Sequence, residues 1–343
     1  MRLRVHHLIG VTVLVLAGAL SVRAALLVNG AGATFPYPLY SKWFDEFHKK
    51  NSDLQINYQS IGSGGGIRQV TEGTVDFGAT DGPMSDEQLA AAKIPILHFP
   101  TVLGAVVPTF NVAGAETLRF TADALAGIDL GKITMWNDPA IAKENEGVKL
   151  PSAPIVPIHR SDGSGTSYVF TDYLAKVSPE WQKTIGKGTS VNWPVGLGGK
   201  GNEGVSGLVK LTPNSLGYVE LIYAVQNKLP YGDVKNRSGK FVRASIESVT
   251  SAAAAAASNM PSDFRVSITD AAGADAYPIS SFTWLLIPSR IEDGSKGNAI
   301  KQFLTWMLTE GQALAPPLHY APLPKRVIEL EQEALTKIQV GGK

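Results

Sequence analysis

An apolar strand, a turn of small residues and a helix follow one another twice between residues 26 and 72, and a third strand then closes the series. Leu26-Leu27-Val28 reads as a buried strand that runs into Gly30-Ala31-Gly32-Ala33-Thr34-Phe35-Pro36. Tyr37 to Lys50 follows, with Leu39, Trp43, Phe44 and Phe47 at helical spacing, prolines at its entrance and basic residues at its end. Leu54 to Gln59 alternates as a second strand. The run Ile61-Gly62-Ser63-Gly64-Gly65-Gly66 then precedes a short helix over Ile67 to Glu72. Val75 to Asp81 is the third strand, with Asp81 at its C-terminal end. This order selects an open α/β sheet with helices on its faces. In such sheets ligand groups collect outside the carboxyl ends of the strands. The three strand ends offer the backbone N–H groups of Thr34 and Phe35 at a helix N-terminus, Ser63 among glycines, and Asp81. Each also has a plainer reading, as a βα connection, a flexible glycine linker or a turn-capping aspartate. The glycine run is not a nucleotide phosphate loop, because no Gly-Lys-Ser/Thr follows it.

Ile96 to Thr109 is long, mostly apolar and extended, Phe110-Asn111-Val112 continues it, and the segment is taken as a crossing into a second domain. There Ile155 to His159 forms a strand that delivers Arg160-Ser161-Asp162-Gly163-Ser164-Gly165-Thr166-Ser167, and Tyr168 to Val177 reads as a helix. A permanent fork of donors, two glycines and hydroxyls at a helix start together describe a seat for a small oxyanion. A capped surface turn would use the same residues. His159, on a strand of alternating facing, should point away from whatever Arg160 addresses. Gly196 to Gly204 lacks the spacing of any nucleotide fingerprint and reads as structural, with a helix from Val205 to Leu211. Phe282 to Ile287 is the return crossing, the proline-rich stretch Pro316 to Pro324 should wrap the surface, and Val327 to Ile338 is a closing helix. The expected division is a first α/β domain of residues 25–107 plus 283–343 and a second of residues 108–282.

Residues 1–24 have the form of a secretory signal peptide: a basic start at Arg2 and Arg4, an apolar run from Leu8 to Leu20, and small residues before a cleavage expected after Ala24. The run is short for a retained membrane anchor. The absence of cysteine leaves nothing to carry a lipid on a thiol and no disulfides, so stability must come from the core. Losing Arg2, Arg4 and Arg23 reduces Lys plus Arg from 31 to 28 against 30 Asp plus Glu, a net charge of −2. Such a surface is not built for nucleic acid or anionic membranes. A serine hydrolase is not indicated, because Asp162 stands two residues before Ser164 and Gly-x-Ser-x-Gly is not met. Past the leader the histidines are His48, His98, His159 and His319, none at metal-ligand spacing. No carboxylate pair is singled out for acid–base work. The inventory is one of donors and suits binding, without catalytic residues, metal or cofactor.

Read together, Gly30-Ala-Gly-Ala-Thr-Phe35, Ile61-Gly-Ser-Gly-Gly-Gly66, Asp76-Phe-Gly-Ala-Thr-Asp81 and Arg160-Ser-Asp-Gly-Ser-Gly-Thr166 resemble the periplasmic phosphate-binding proteins that feed ABC phosphate importers. The likeness extends to Thr189–Pro194, Gly196–Asn202 and Gly217–Glu220, and covers essentially the whole chain after the leader. It implies a two-domain flytrap fold, each domain a sheet flanked by helices, with a hinge of two crossing strands. It also implies inorganic phosphate held in the cleft by Thr34, Phe35, Ser63 and Asp81 from one side and Arg160, Ser164, Gly165 and Thr166 from the other, with Asp162 orienting Arg160. Gly64 and Thr80 stand where serines are common in that family, at positions to which no ligand contact is assigned.

The same likeness implies a monomer in the periplasm that hands phosphate to a membrane permease. A dianion, Arg160 and the carboxylates of Asp81 and Asp162 do not sum to neutrality, so helix-end and backbone dipoles must carry part of the stabilisation. Asp81, an anion facing an anion, helps only a ligand that brings a proton. Phosphate does and sulfate does not, so Asp81 is expected to discriminate between them. A binding protein for another oxyanion and a phosphate-ester hydrolase are the competing readings.

Overall fold

The computed structural model describes residues 25–341. The expected leader, residues 1–24, lies outside them, as do residues 342–343. In chain order the elements that build the site are β1 (Leu26–Gly32), α1 (Tyr37–Lys50), β2 (Leu54–Ser60), α2 (Ser63–Glu72), β3 (Phe77–Thr80), β4 (Ile96–Asn111), β5 (Val156–Arg160), α3 (Gly165–Val177), β6 (Leu197–Gly199), α4 (Gly201–Leu211), β7 (Ser215–Glu220), α5 (Ile246–Ser258), β8 (Ser280–Pro288), α6 (Gly294–Leu308) and α7 (Lys325–Ala334).

Eight strands form one mixed sheet in the order β2-β1-β3-β8-β4-β7-β5-β6. Its two ends are alike. β1 pairs parallel with β2 and β3, and β5 pairs parallel with β6 and β7. Between them run two antiparallel strands. β4 pairs with β8 along Ile96–Ala105 and with β7 along Val106–Asn111, so one continuous strand belongs to both ends. All but two of its residues are buried, which explains the long apolar run in the sequence.

α1 buries Leu39, Tyr40, Trp43, Phe44 and Phe47, and the basic His48, Lys49 and Lys50 sit in its last turn, where the helix dipole favours them. Phe44 and Phe47 each meet Phe303 of α6, with ring centroids 5.3 Å apart. In α5 the alanine run buries Ala252, Ala253 and Ala257, small enough for close approach to the two crossing strands.

Three local expectations change. The glycine run is not a loop: α2 starts at Ser63, so Gly64, Gly65 and Gly66 are its first turn. Glycine is weak in a helix, but packing decides here, since a Cβ on Gly66 would lie 2.6 Å from the Ala31 carbonyl oxygen and 2.8 Å from that of Ala79. Residues 201–204, likewise read as loop, open α4. The proline-rich tail does more than wrap the surface. Tyr320 is completely buried, and Ala321 exchanges two backbone hydrogen bonds of 2.9 Å with Leu103 of β4.

Candidate functional site

The carboxyl ends of β1, β3 and β5 and the N-termini of α1, α2, α3 and α4 converge where the two ends of the sheet face each other. They meet directly. Gly64 N–H donates to Gly163 O at 2.8 Å, and a Cβ on Gly165 would stand 2.3 Å from Ser63 Oγ and 2.4 Å from Asp81 Oδ2. Only a glycine at 165 lets the start of α3 come this close to the Ser63–Asp81 pair.

On the β5 side, Arg160 is buried and forked on Asp162. Nε donates to Oδ1 at 2.7 Å and Nη2 to Oδ2 at 2.6 Å. Burial works against the Asp162 carboxylate, yet the Arg160 fork and the Gly201 N–H at 3.0 Å hold its pKa below the ordinary range. The third Arg160 nitrogen, Nη1, donates to Thr166 Oγ1 at 3.3 Å. Ser164 caps α3, its Oγ accepting from Ser167 N–H at 2.9 Å. Gly165 and Thr166 therefore carry the first N–H groups of the helix, which have no intrahelical acceptor. His159 stacks on Trp193 with centroids 5.0 Å apart, away from the site, as the strand alternation predicts.

On the β1 side, the chain turns from β1 into α1 at Thr34 and Phe35, whose N–H groups find no acceptor among the described residues. Their carbonyls are pinned instead: Tyr223 OH donates to Thr34 O and Tyr320 OH to Phe35 O, both at 2.6 Å. The Phe35 ring is completely buried, leaving its backbone to face the junction. Ser63, also completely buried, starts α2, and its Oγ accepts from Asp81 N–H at 3.2 Å. Asp81 Oδ1 accepts from Thr283 Oγ1 of β8 at 2.8 Å. Burial pushes the Asp81 carboxyl up to about 7, against the lowering pull of Thr283, Arg160 and Ser63.

All eight residues expected to touch a ligand, and Asp162 behind them, thus gather at one junction. Sequence reasoning missed two more. Thr283 sits in an apolar strand with nothing to mark its hydroxyl. Asn202 lies in the glycine stretch read as structural, yet its Nδ2 donates to Thr34 Oγ1 at 2.7 Å and to Thr166 Oγ1 at 3.1 Å. The available signal was a polar residue opening a helix after β6. The assembled chemistry is one guanidinium, hydroxyls and free helix-end N–H groups facing inward, with one protonatable carboxyl among them. Chemistry of this kind suits a small tetrahedral oxyanion.

A profile of the PBP superfamily domain matches residues 19–310. The chain is 45% identical over 304 residues to the phosphate-binding protein PstS of Xylella fastidiosa strain Temecula1, covering 88% of this chain and 83% of that one. It is 39% identical to PstS of Methanocaldococcus jannaschii, covering 92% and 87%. Among solved structures, a high-affinity periplasmic phosphate-binding protein bound with phosphate aligns with a TM-score of 0.72 at 22% identity, covering 90% of this chain and 93% of that one. A phosphate ABC transporter substrate-binding protein with bound phosphate from Clostridium perfringens gives 0.64 at 21%, covering 87% and 100%. At those identities the structures speak for the fold alone. The sequence relatives carry more, and the chain belongs to the PBP superfamily and, within it, to the family of PstS phosphate-binding proteins.

Proposed function

We propose that this chain binds inorganic phosphate between the two ends of its sheet and delivers it to the permease of an ABC importer. It does so as a periplasmic monomer freed of residues 1–24. Residues 25–107 plus 283–343 form one jaw, residues 108–282 the other, and β4 and β8 are the hinge. Thr34, Phe35, Ser63 and Asp81 hold the anion from the first jaw, and Arg160, Ser164, Gly165 and Thr166 from the second. The protein is a binder, not an enzyme, in keeping with relatives named as binding proteins.

The observation that carries the reading is the pairing of convergent donors from both jaws with one buried carboxyl, Asp81. The donors draw the anion, while the carboxyl accepts a P–OH and repels an oxyanion that has none. Closure follows from the same geometry, since only the closed form lets one anion touch both jaws. Calorimetric titration of the purified protein with phosphate and with sulfate at pH 8 tests it. Phosphate should bind and sulfate should not register at millimolar concentration; comparable affinities would defeat the reading. A chromogenic phosphate ester should be left intact.

A further inference from the structure

Asn202 opens α4 and is completely buried. Its Oδ1 accepts from Glu220 N–H at 2.9 Å. A backbone N–H can only donate, so the orientation of the amide is set and Nδ2 must be the atom facing the site. Nδ2 donates to Thr34 Oγ1 at 2.7 Å and to Thr166 Oγ1 at 3.1 Å.

Each hydroxyl has two lone pairs and one hydrogen. At Thr34 the oxygen also accepts from Asn202 N–H at 3.3 Å. At Thr166 it also accepts from Arg160 Nη1 at 3.3 Å. Both oxygens are therefore saturated as acceptors, and their hydrogens have no acceptor among the described residues. Thr34 precedes β4 in the chain and Thr166 follows it, so one amide grips a hydroxyl from each side of the junction.

We propose that Asn202 is a positioning residue that fixes the polarity of the site, turning the Thr34 and Thr166 hydroxyls into obligate donors toward unprotonated oxyanion oxygens; its hold on Thr166 lies within one jaw, while its hold on Thr34 forms only when the jaws are closed. Left alone, a hydroxyl is ambivalent and could equally accept from a protonated or neutral ligand oxygen. With Asn202 in place only bare oxygens fit opposite Thr34 and Thr166, and the ligand's proton is left to Asp81. The Thr166 hydroxyl is thus oriented before the anion arrives and the Thr34 hydroxyl as the jaws close, so neither has to be turned by the ligand itself. This inference rests on the oxyanion reading given above.

A double-mutant cycle read by calorimetry with inorganic phosphate at pH 8 tests it, using the full chain after its leader. In the wild-type background, Asn202→Leu, of similar shape but without donors, should weaken phosphate binding roughly 30-fold or more, since hydrogen bonds to a charged ligand are at stake. In a Thr34→Val/Thr166→Val background the same change should cost less than about threefold, because the hydroxyls it acts through are gone. Equal losses in the two backgrounds would overturn the proposal and reduce Asn202 to packing.

Should Asn202→Leu fail to fold, Asn202→Asp keeps the acceptor for Glu220 N–H and turns both hydroxyls away from the ligand. Its charge repels phosphate equally in both backgrounds, so a larger loss beside intact threonines supports the proposal and an equal loss overturns it. Wild-type protein that bound no phosphate would sink the oxyanion reading and this inference together. Wild-type binding with equal losses would sink this inference alone.

Discussion

Asp81 is buried, and its position between Thr283, Ser63 and Gly165 gives it two measurable consequences. Its pKa of about 7 in the fold lies above the ordinary 3.8. The folded state therefore prefers the protonated carboxyl. The associated stability is complete below about 3.8 and is lost as pH rises through about 7, on the order of 4 kcal/mol for this one group. Asp129, raised to about 7 by burial, acts in the same direction. Ligand-free protein should thus be more resistant to urea at pH 5 than at pH 8, and Asp81→Asn should reduce that difference and leave the part that Asp129 contributes. The second consequence concerns selectivity. Sulfate can be accepted only if Asp81 brings the proton, so its affinity should fall about tenfold for each pH unit above about 7 while phosphate affinity does not. Titrations across pH 6 to 9 would show it, and Asp81→Asn should remove the slope and erode the preference for phosphate. Arg160→Ala should weaken phosphate binding roughly 100-fold or more, because it deletes the cation and leaves Asp162 enclosed without its partner. Asp81 and Arg160 were legible in the sequence because each stands in a motif shared with the phosphate-binding family, its strand-end position alone allowing a plainer reading. Thr283 was not, since a threonine inside an apolar strand shows nothing of where its hydroxyl goes.

At the scale of elements, helix N-termini do most of the presenting, and glycines decide how close they come. Gly66→Ala should cost about 3 kcal/mol or more, read as a lowered denaturation midpoint, because the added methyl meets the carbonyls of β1 and β3 and neither strand can retreat. Gly165→Ala should fold but bind phosphate at least tenfold more weakly, since its methyl would press on Ser63 and Asp81 and hold the jaws apart. Helix α1 was predicted to the residue because its apolar spacing, entrance prolines and basic end all agree. The starts of α2 and α4 were misjudged for a single reason. Propensity speaks against glycine in a helix, and what overrides it is visible only in the fold: backbone pressed against Gly66 in α2, and a left-handed φ of 71° at Gly201 where α4 begins.

For the whole molecule, the junction is closed by contacts well outside the site. Arg265 Nη1 donates to Met84 O at 2.9 Å and to Asp86 Oδ1 at 2.7 Å. Two and four residues further on, Ser267 and Thr269 hold Asp172 of α3 at 2.6 and 2.5 Å. Residues 265–269 thus form a strap from the loop after β3 to the helix that presents Gly165 and Thr166. Arg265→Ala should weaken phosphate binding about three- to tenfold without touching the site, because the strap stabilises the closed form that the anion selects. Phosphate at about 1,000 times its dissociation constant should add about 4 kcal/mol of stability and should shrink the radius of gyration in solution scattering. Little of this was legible, because the strap joins segments some 90 to 180 residues apart and its members are ordinary surface-type residues when read in line.

The sequence by itself determined the α/β class and an extended crossing that begins at Ile96, because hydrophobic period is a local property that a linear reading can see, and it determined the family because that family's motifs stand in order along the chain. The tertiary structure alone decided which hydroxyls are saturated, which carboxyl is raised and which glycines are pressed against backbone. Those depend on desolvation and on contacts between distant segments, such as Asn202 with Thr34 and Asp81 with Thr283, and neither is written in any one stretch of chain.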